Sequence, residues 1–325
     1  MNILYKIYNK IIRKFVSTFN LGSLLQRKDA ISVLTYHGIK EAKHSVNDYC
    51  FIAQDIFDQQ MKYLSENFEV KSPENAFIDS YTNKKPVAVI TFDDGFMNNY
   101  RYALPILKKY NLPATVFLST GFVDTNDTIW FCKIIDIIES CNQETIDWNG
   151  ESINIKTPSD KKLASSKIQS ELKSLHPKLI DEKIEDLMRS VSREKNYLKT
   201  PYEMLNRHAL DAMTKSKLIT FGAHTYSHAI LSRISVAEAE VEVKKSLKDV
   251  ERFTGKRCNL FAYPNGGVDD YGEYHKSFLK ELGVSLVFSM KHGVSSKNDD
   301  YKEIKRLFIS SHFNMKQFSA QVHGY

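Results

Sequence analysis

Short apolar runs alternate along this chain with longer segments of helical periodicity. Seven runs of four to six residues are almost continuously apolar, and they cover residues 31–36, 87–92, 114–118, 218–221, 260–263, 284–288 and 306–310. Strands that are apolar on both faces are typical of a parallel sheet covered by helices. Seven such strands are enough to close a barrel, so the pattern predicts an α/β barrel fold.

Two of the intervening segments carry clear helical signatures. One helical face is indicated by the spacing of Phe57, Met61, Leu64 and Phe68. A second helix is predicted to begin at a capping box, in which Ser235 is followed three residues later by Glu238. We expect this helix to end at Gly255. Its inward-facing positions are expected to be Val243, Leu247, Val250 and Phe253.

The pattern changes between residues 124 and 215, where charged, helix-prone sequence surrounds Trp130 and Trp148. We interpret this stretch as a helical insertion that projects over the functional site and acts as a lid or shapes the substrate site. An elaborated surface with no part in binding is the alternative. No Gly/Ser linker isolates the insertion, so residues 31–325 are predicted to form one domain.

The N-terminal residues 1–30 have a different character. Apolar residues from Leu4 to Phe19 recur at helical spacing, and Lys and Arg side chains lie largely between them. Such a basic amphipathic helix can lie in an anionic membrane interface, through residues 1–20. A helix packed on the barrel or on a second subunit explains the pattern equally well, so both alternatives stay open.

The composition is that of an ordinary globular protein. Of 325 residues, 42% are hydrophobic and 26% charged, with a net charge of +6. No aromatic-interleaved basic motif is present, so nucleic acid is not an expected partner, and an anionic glycan or membrane surface fits the charge better. Four cysteines without a CxxC pair predict reduced thiols. With no signal-peptide pattern, we expect a cytoplasmic protein, with peripheral contact at the inner membrane face left open.

Polar residues that can carry chemistry follow the predicted strands. Asp93 and Asp94 end the run at 87–92, and His224 and His228 follow the run at 218–221. In barrels the functional residues lie at the carboxyl ends of the strands, so these side chains are expected at one mouth. One carboxylate with two histidines is a three-ligand catalytic metal site, and the second carboxylate is then free to act as a base.

The segment TFDDG (91–95) followed by HTYSH (224–228) resembles the polysaccharide deacetylase family, also called the NodB-homology or carbohydrate esterase family 4 enzymes. The resemblance runs from about Ile31 to about Phe313. It implies a distorted (β/α) barrel of about seven parallel strands. It also implies that Asp94, His224 and His228 bind a divalent ion, for which Zn²⁺ is favoured by the two nitrogen ligands, and that Asp93 is the general base.

A third family motif is matched by the segment FAYPNG (261–266). The resemblance nominates the backbone amide of Asn265 as the donor to the oxyanion. The family's arginine, which orients the base, is missing from this motif. Arg306, which opens the last predicted strand, is a candidate for that charge, and a solvated or glycan-facing arginine is the alternative. Substrate contacts are expected at Tyr263, Pro264 and Trp130, with Tyr226 as a further aromatic that can stack on a sugar.

The general acid is expected at the opposite end of the chain from its usual place in the family. The segment LTYHG (34–38) resembles a subfamily of poly-N-acetylglucosamine deacetylases in which this motif is permuted to the N-terminus. His37 is therefore the predicted acid. His292, which follows another strand without the family's leucine, is the second candidate, and a structural role for His37 also stays open.

These observations favour a metal-dependent hydrolase that removes N-acetyl groups from the amino sugars of a polysaccharide or glycan precursor. A deacylase or deformylase of a lipid-linked or nucleotide-linked sugar is the alternative within the same chemistry. A non-catalytic carbohydrate-binding protein that has kept the fold is the alternative from another class.

Overall fold

The computed structural model describes residues 30–41, 48–78, 85–191 and 195–324. The amphipathic helix predicted within residues 1–30 therefore lies outside the described residues, apart from Ala30. The strands are β1 (Ile31–Tyr36), β2 (Gly38–Lys40), β3 (Phe51–Ala53), β4 (Glu69–Val70), β5 (Val87–Phe92), β6 (Ala114–Leu118), β7 (Thr145–Trp148), β8 (Glu151–Asn154), β9 (Ile219–Ala223), β10 (Leu260–Ala262), β11 (Leu286–His292) and β12 (Ile304–Phe308).

The helices cover the outside of the sheet and build the insertion. They are α1 (Gln54–Asn67), α2 (Pro73–Phe77), α3 (Leu104–Tyr110), α4 (Trp130–Ser140), α5 (Pro158–Leu172), α6 (Pro177–Ser190), α7 (Arg207–Lys215), α8 (Val236–Thr254), α9 (Glu273–Glu281) and α10 (Met315–Val322). The predicted capping box is present at the start of α8, and Gly255 ends that helix in the left-handed conformation at φ 68°.

Seven parallel strands close into a barrel, as the sequence predicts. The order around the barrel is β1, β5, β6, β9, β10, β11 and β12, and β12 pairs with β1 to complete the ring. Strands that are neighbours in the chain are thus neighbours in the barrel. Side chains alternate between the interior and the helices: Val33 packs inside with Val89, whereas Leu34 and Ile90 pack outward in the larger core.

Three strands are displaced from their predicted bounds. The last strand begins at Ile304, so Arg306 lies in its middle and not at its start. An arginine can occupy this interior position because a carboxylate inside the barrel neutralises it, as described below. β11 extends to His292 because its pairing with β12 continues past a register shift. β9 runs one residue later at its start and ends at Ala223, directly before the histidine motif.

The insertion between β6 and β9 has its own hydrophobic core. That core is formed by α4, α5, α6 and the β7–β8 hairpin with Tyr202 and Met204, and Phe51 and Phe96 from outside the insertion join it. The following segment belongs to the barrel, because Leu205, Leu210 and Met213 pack in the main core. Part of the predicted insertion at 124–215 thus contributes to the core of the barrel. All four cysteines are free thiols, and among the described residues no helix has the length and apolar character needed to cross a bilayer.

Candidate active site

The residues singled out by the sequence gather at the carboxyl ends of the barrel strands. Asp93 and Asp94 follow β5, His224 follows β9, and His37 follows β1. Asn265 lies in the turn after β10. Side chains at the ends of parallel strands meet at one mouth of a barrel, and here they line a cleft with a cavity of about 160 Å³.

Asp94, His224 and His228 form a buried three-residue cluster. One ligand atom from each lies within 4.8 Å of the other two. The Nε2 atoms of His228 and His224 lie 3.3 Å and 3.6 Å from Oδ1 of Asp94. Both carboxylate oxygens of Asp94 are buried and make no hydrogen bond within the described residues. A buried carboxylate without donors is costly, and a cation bound among these three side chains would satisfy it.

The orientation of His224 is fixed by the neighbouring strand. Its Nδ1–H donates to the carbonyl oxygen of Ala262 at 2.7 Å, which leaves Nε2 directed towards Asp94. Burial lowers the pKa of His224 to about 4, so the imidazole is neutral near pH 7. A neutral imidazole held by a backbone carbonyl is the form that binds a metal ion.

Left-handed backbone conformations concentrate at this mouth. Asp94, Thr225, His228 and Asn265 have φ angles of 77°, 61°, 60° and 56°. These angles are uncommon outside glycine, and least favourable for the β-branched Thr225. The site therefore depends on surrounding structure that holds the backbone in place.

Glu242 of α8 supplies part of that support. Its carboxylate accepts hydrogen bonds from the backbone amides of Tyr226 and Ser227 at 2.9 and 2.8 Å, and from the Ser227 hydroxyl at 2.8 Å. These bonds fix the loop between His224 and His228. The sequence carries a signal for Glu242 only as one acidic residue on an amphipathic helix, so its contact with the loop was not predicted.

Asp93 is paired with Arg306 inside the barrel. The two guanidinium nitrogens Nη1 and Nη2 donate to the two carboxylate oxygens at 2.7 Å each, and Nε donates to the Ser289 carbonyl at 2.9 Å. Burial by itself would raise the pKa of Asp93, but the Arg306 charge outweighs it and lowers the pKa to about 2. Arg306 is thus neither solvated nor directed at a glycan, and Asp93 is ionised.

His37 faces the same cleft from the end of β1. Its ring packs edge-on against Phe308 with 5.8 Å between centroids, and its carbonyl accepts a hydrogen bond from the Asn99 side chain at 2.7 Å. The Nδ1 atom is buried without a hydrogen-bond partner in the described chain. His37 therefore has a fixed backbone and a ring nitrogen that is still open to a ligand.

Asp48 is a cleft residue that the sequence did not reveal. It is 5% exposed, and one carboxylate oxygen accepts from the Cys50 amide at 2.9 Å. The other oxygen has no hydrogen-bond partner among the described residues. Burial raises the pKa of Asp48, and the nearby His37 opposes that shift. An isolated aspartate in a polar segment has no strand-end or motif signal that would have found it.

The insertion forms one wall of the cleft. Trp130, Phe131, Ile135 and Glu139 of α4 line it, and the contributing α5 positions recur at helical spacing, namely Lys162, Ser165, Ser166 and Gln169. Side chains of α4 and α5 are thus turned towards the candidate metal ligands.

Four candidate residues lie elsewhere. The structure corrects the expectation for Tyr263, which is 1% exposed and stacks on Tyr271 in the core at a centroid distance of 3.8 Å. Its ring faces the helix layer, so it cannot stack on a sugar in the cleft. Pro264 is buried in the turn beside it, and His292 is exposed at the end of β11, outside the cleft lining. Tyr226 lines a neighbouring cavity.

A parallel barrel with a buried Asp-His-His cluster and a separate ionised carboxylate at its mouth has the layout of a metallohydrolase centre. The chain belongs to the polysaccharide deacetylase family, whose model matches residues 80–287.

Two curated relatives are similar to parts of the chain. It is 27% identical over 214 residues to the poly-β-1,6-N-acetyl-D-glucosamine N-deacetylase of Staphylococcus epidermidis, over 59% of this chain and 72% of that one. It is 35% identical over 92 residues to YxkH of Bacillus subtilis, which is assigned to the polysaccharide deacetylases; that match covers 27% of this chain and 31% of the relative.

Solved structures share the fold. IcaB from Ammonifex degensii has a TM-score of 0.58 at 18% identity, over 90% of this chain and 96% of that one. The de-N-acetylase from Aggregatibacter actinomycetemcomitans has a TM-score of 0.58 at 16% identity, over 90% and 100%. At these identities the likeness supports the barrel architecture.

Proposed function

We propose that this protein is a metal-dependent N-deacetylase that acts on the N-acetylated amino sugars of a polysaccharide. The observation that carries the proposal is that a candidate metal site and an ionised carboxylate lie at the same mouth of the barrel. Asp94, His224 and His228 can hold a divalent ion, and the Arg306-paired Asp93 lies beside them as an ionised base. Membership of the polysaccharide deacetylase family gives the reaction class.

The donor set fits a borderline divalent ion such as Zn²⁺. Two imidazoles and one carboxylate make three protein ligands, and this number leaves a coordination position for water or substrate. An ion bound there supplies Lewis-acid polarisation of the acetamide carbonyl and makes a water molecule more acidic.

Asp93 is assigned the general base. With a pKa of about 2, it is ionised at every pH at which the enzyme would work, and Arg306 fixes the plane of its carboxylate. Such a carboxylate is a weak base in isolation. It can take the proton of the attacking water because that water is itself acidified at the site.

His37 and Asn265 complete the amide hydrolysis. An amine is a poor leaving group unless it is protonated, and the open His37 ring at the cleft can donate that proton. Asn265 lies in the turn after β10 and has a left-handed backbone conformation. In this turn the Gly266 amide donates a hydrogen bond to the Pro264 carbonyl oxygen at 2.6 Å. The backbone N–H of Asn265 is assigned to the developing oxyanion.

The cleft and the relatives support the proposed substrate class. Trp130 and Phe131 offer aromatic surface beside the ligands, and Ser166 and Gln169 offer hydroxyl and amide groups to a sugar. The Staphylococcus epidermidis relative is named for poly-β-1,6-N-acetyl-D-glucosamine. We propose that the substrate of this protein is also a polymer of N-acetylglucosamine.

Acetate release from a β-1,6-linked N-acetylglucosamine tetramer tests the function, and a His37→Ala variant tests the acid. The Zn²⁺-loaded wild type should release acetate and free amine in equal amounts. His37→Ala should lower kcat by about 10²-fold, with unchanged metal content, because protonation of the amine is lost. Hydrolysis of p-nitrophenyl acetate should fall far less, since its leaving group needs no proton.

His292→Ala is the matched control and should behave as wild type. Absence of acetate release by the loaded wild type would contradict the proposed function. Equal losses on the amide and the ester in His37→Ala, or loss of metal, would contradict the acid role.

A further inference from the structure

A cavity of about 630 Å³ lies apart from the catalytic cleft, and the described residues that line it are all different from those of the cleft. Its walls come from the segment after β6, the first residue of α7 and the second half of α8. Tyr226, in the loop between His224 and His228, completes them. A ligand in this cavity would contact that loop without entering the cleft.

Aromatic rings hold three basic side chains at this cavity. The guanidinium carbons of Arg207 and Arg252 lie 4.9 and 4.8 Å from the centroid of the Phe253 ring. The ammonium group of Lys245 lies 3.4 Å from the centroid of the Tyr226 ring. A ring attracts and orients a cation but carries no net negative charge. These contacts therefore position the cations without neutralising them.

The carboxylates nearby leave part of the positive charge and most of the donors unused. Nη2 of Arg252 donates to Asp249 at 2.6 Å, and Nη2 of Arg207 donates to Asp211 at 3.2 Å. Lys245 forms no ion pair with a carboxylate of the described residues. A guanidinium group has five N–H donors and an ammonium group has three, so all three side chains keep donors for a further acceptor.

Arg207 also has a buried donor that is not satisfied. Its Nη1 atom has no hydrogen-bond partner in the described chain. The carboxylates that line the cavity are already engaged, since Asp124 accepts from the Arg207 backbone amide at 2.8 Å and Asp249 accepts from the Thr120 hydroxyl at 3.1 Å. A buried donor without an acceptor costs free energy, and a ligand oxygen would remove that cost.

The donors fit a phosphate-type oxyanion best. A phosphate monoester has three strong acceptor oxygens and a charge of about −1.5 to −2 near pH 7. Arginine binds phosphate through paired hydrogen bonds, and lysine binds it as a point charge. A cation would be repelled by the basic side chains, and an uncharged ligand would leave the Lys245 charge unpaired. The volume is large enough for a small phosphorylated molecule as well as for the free ion.

We propose that this cavity is an anion site that binds a phosphoryl group, either as free phosphate or as the monoester of a small molecule, through Arg207 and Lys245. The site is separate from the proposed deacetylation and does not depend on it. The ring beneath Lys245 belongs to a fixed loop, because the Tyr226 carbonyl accepts from the Gly121 amide at 2.7 Å and the Tyr226 amide donates to Glu242 at 2.9 Å. The site is thus largely formed before a ligand binds, which lowers the cost of binding.

Calorimetry with two probes tests the site. Zn²⁺-loaded protein is titrated with inorganic phosphate and with glycerol 3-phosphate at constant ionic strength. The wild type should bind about one equivalent at this site. Arg207→Gln and Lys245→Gln should each weaken binding about tenfold, because a hydrogen bond between charged groups is lost. The probe with the higher affinity identifies the source of the phosphoryl group.

Matched control variants remove a positive charge elsewhere. Arg189→Gln removes an exposed arginine of α6 that, like Arg207, pairs with an aspartate of its own helix. Lys248→Gln removes an exposed lysine of α8 that lies three residues after Lys245 and outside the cavity lining. Both controls should bind the probes as the wild type does. Equal weakening in the controls would show general attraction of anions and would overturn the site.

Anions that coordinate the metal ion are distinguished with Asp94→Asn, which is expected to lose the ion but leaves every residue of this cavity in place. Phosphate binding that depends on Arg207 and Lys245 should persist in that variant. Loss of all binding in Asp94→Asn, absence of saturable binding of both probes to the wild type, or unchanged affinity in Arg207→Gln and Lys245→Gln would overturn the proposal.

Discussion

Asp93→Asn should lower kcat for acetate release by about 10²–10⁴-fold and leave the bound metal unchanged. The variant removes the proton acceptor but none of the three side chains in the Asp-His-His cluster. The asparagine oxygen can still accept one of the two Arg306 hydrogen bonds. The measurement is acetate release by protein whose metal content and folded fraction have been determined in the same preparation.

Asp94→Asn is the matched comparison, because it makes the same change one residue along the chain. It should lose metal and activity together, since a neutral amide oxygen is a weaker ligand than a carboxylate. Near-wild-type kcat in Asp93→Asn would remove the base assignment, and loss of metal in Asp93→Asn with full occupancy in Asp94→Asn would reverse the two roles.

Arg306→Ala should lower the free energy of unfolding by about 3–5 kcal/mol at neutral pH. The change leaves the Asp93 carboxylate buried without its counter-charge, and both side chains are almost fully buried in the wild type. Urea denaturation of wild type and variant measures the difference. Activity should fall as well, because burial then raises the pKa of Asp93 and part of the base becomes protonated.

The direction in which pH changes this stability difference follows from the pKa of Asp93. In the wild type the pKa of Asp93 is lowered to about 2, so the pair's contribution is present above the ordinary aspartate pKa and is lost as the pH falls towards 2. In Arg306→Ala the pKa is raised, so protonation at mildly acid pH relieves the cost of burial. The stability difference between the two proteins should therefore shrink as the pH is lowered from neutral.

The double variant Asp93→Asn/Arg306→Ala is the control for this pair. It removes the unpaired charge, so it should be more stable than Arg306→Ala alone. Additive losses from the two changes, or a stability difference that is independent of pH, would show that the ion pair does not govern the stability of the barrel interior.

Local patterns were enough to predict the barrel and to place several polar side chains at its mouth. The apolar run before Asp93 and Asp94 is a local pattern that predicts both the strand β5 and the residues at its end. The apolar run before His224 predicts β9 and its end in the same way. A parallel barrel then brings all strand ends to one mouth. The positions of His37 and Asn265 at that mouth follow from the same rule.

Contacts between distant segments were not predictable in this way. The sequence named Arg306 as one candidate to orient the base and put it at the start of a strand, and the closed barrel shows that its guanidinium reaches Asp93 across the interior. Tyr263 was misassigned because a strand-end aromatic can face either the cleft or the helix layer. Asp48 and Glu242 act from a loop and from a helix surface, where neither periodicity nor a motif distinguishes them.

The proposed function makes acetate release dependent on an ion held by Asp94, His224 and His228. The most direct measurement follows acetate release from the N-acetylglucosamine tetramer as chelated protein is titrated with Zn²⁺, with bound metal counted in parallel. Activity should be absent from the chelated protein and should return in proportion to about one equivalent of bound ion. His228→Ala should neither hold the ion nor recover. Full acetate release by metal-free protein, or by metal-free His228→Ala, would contradict the account.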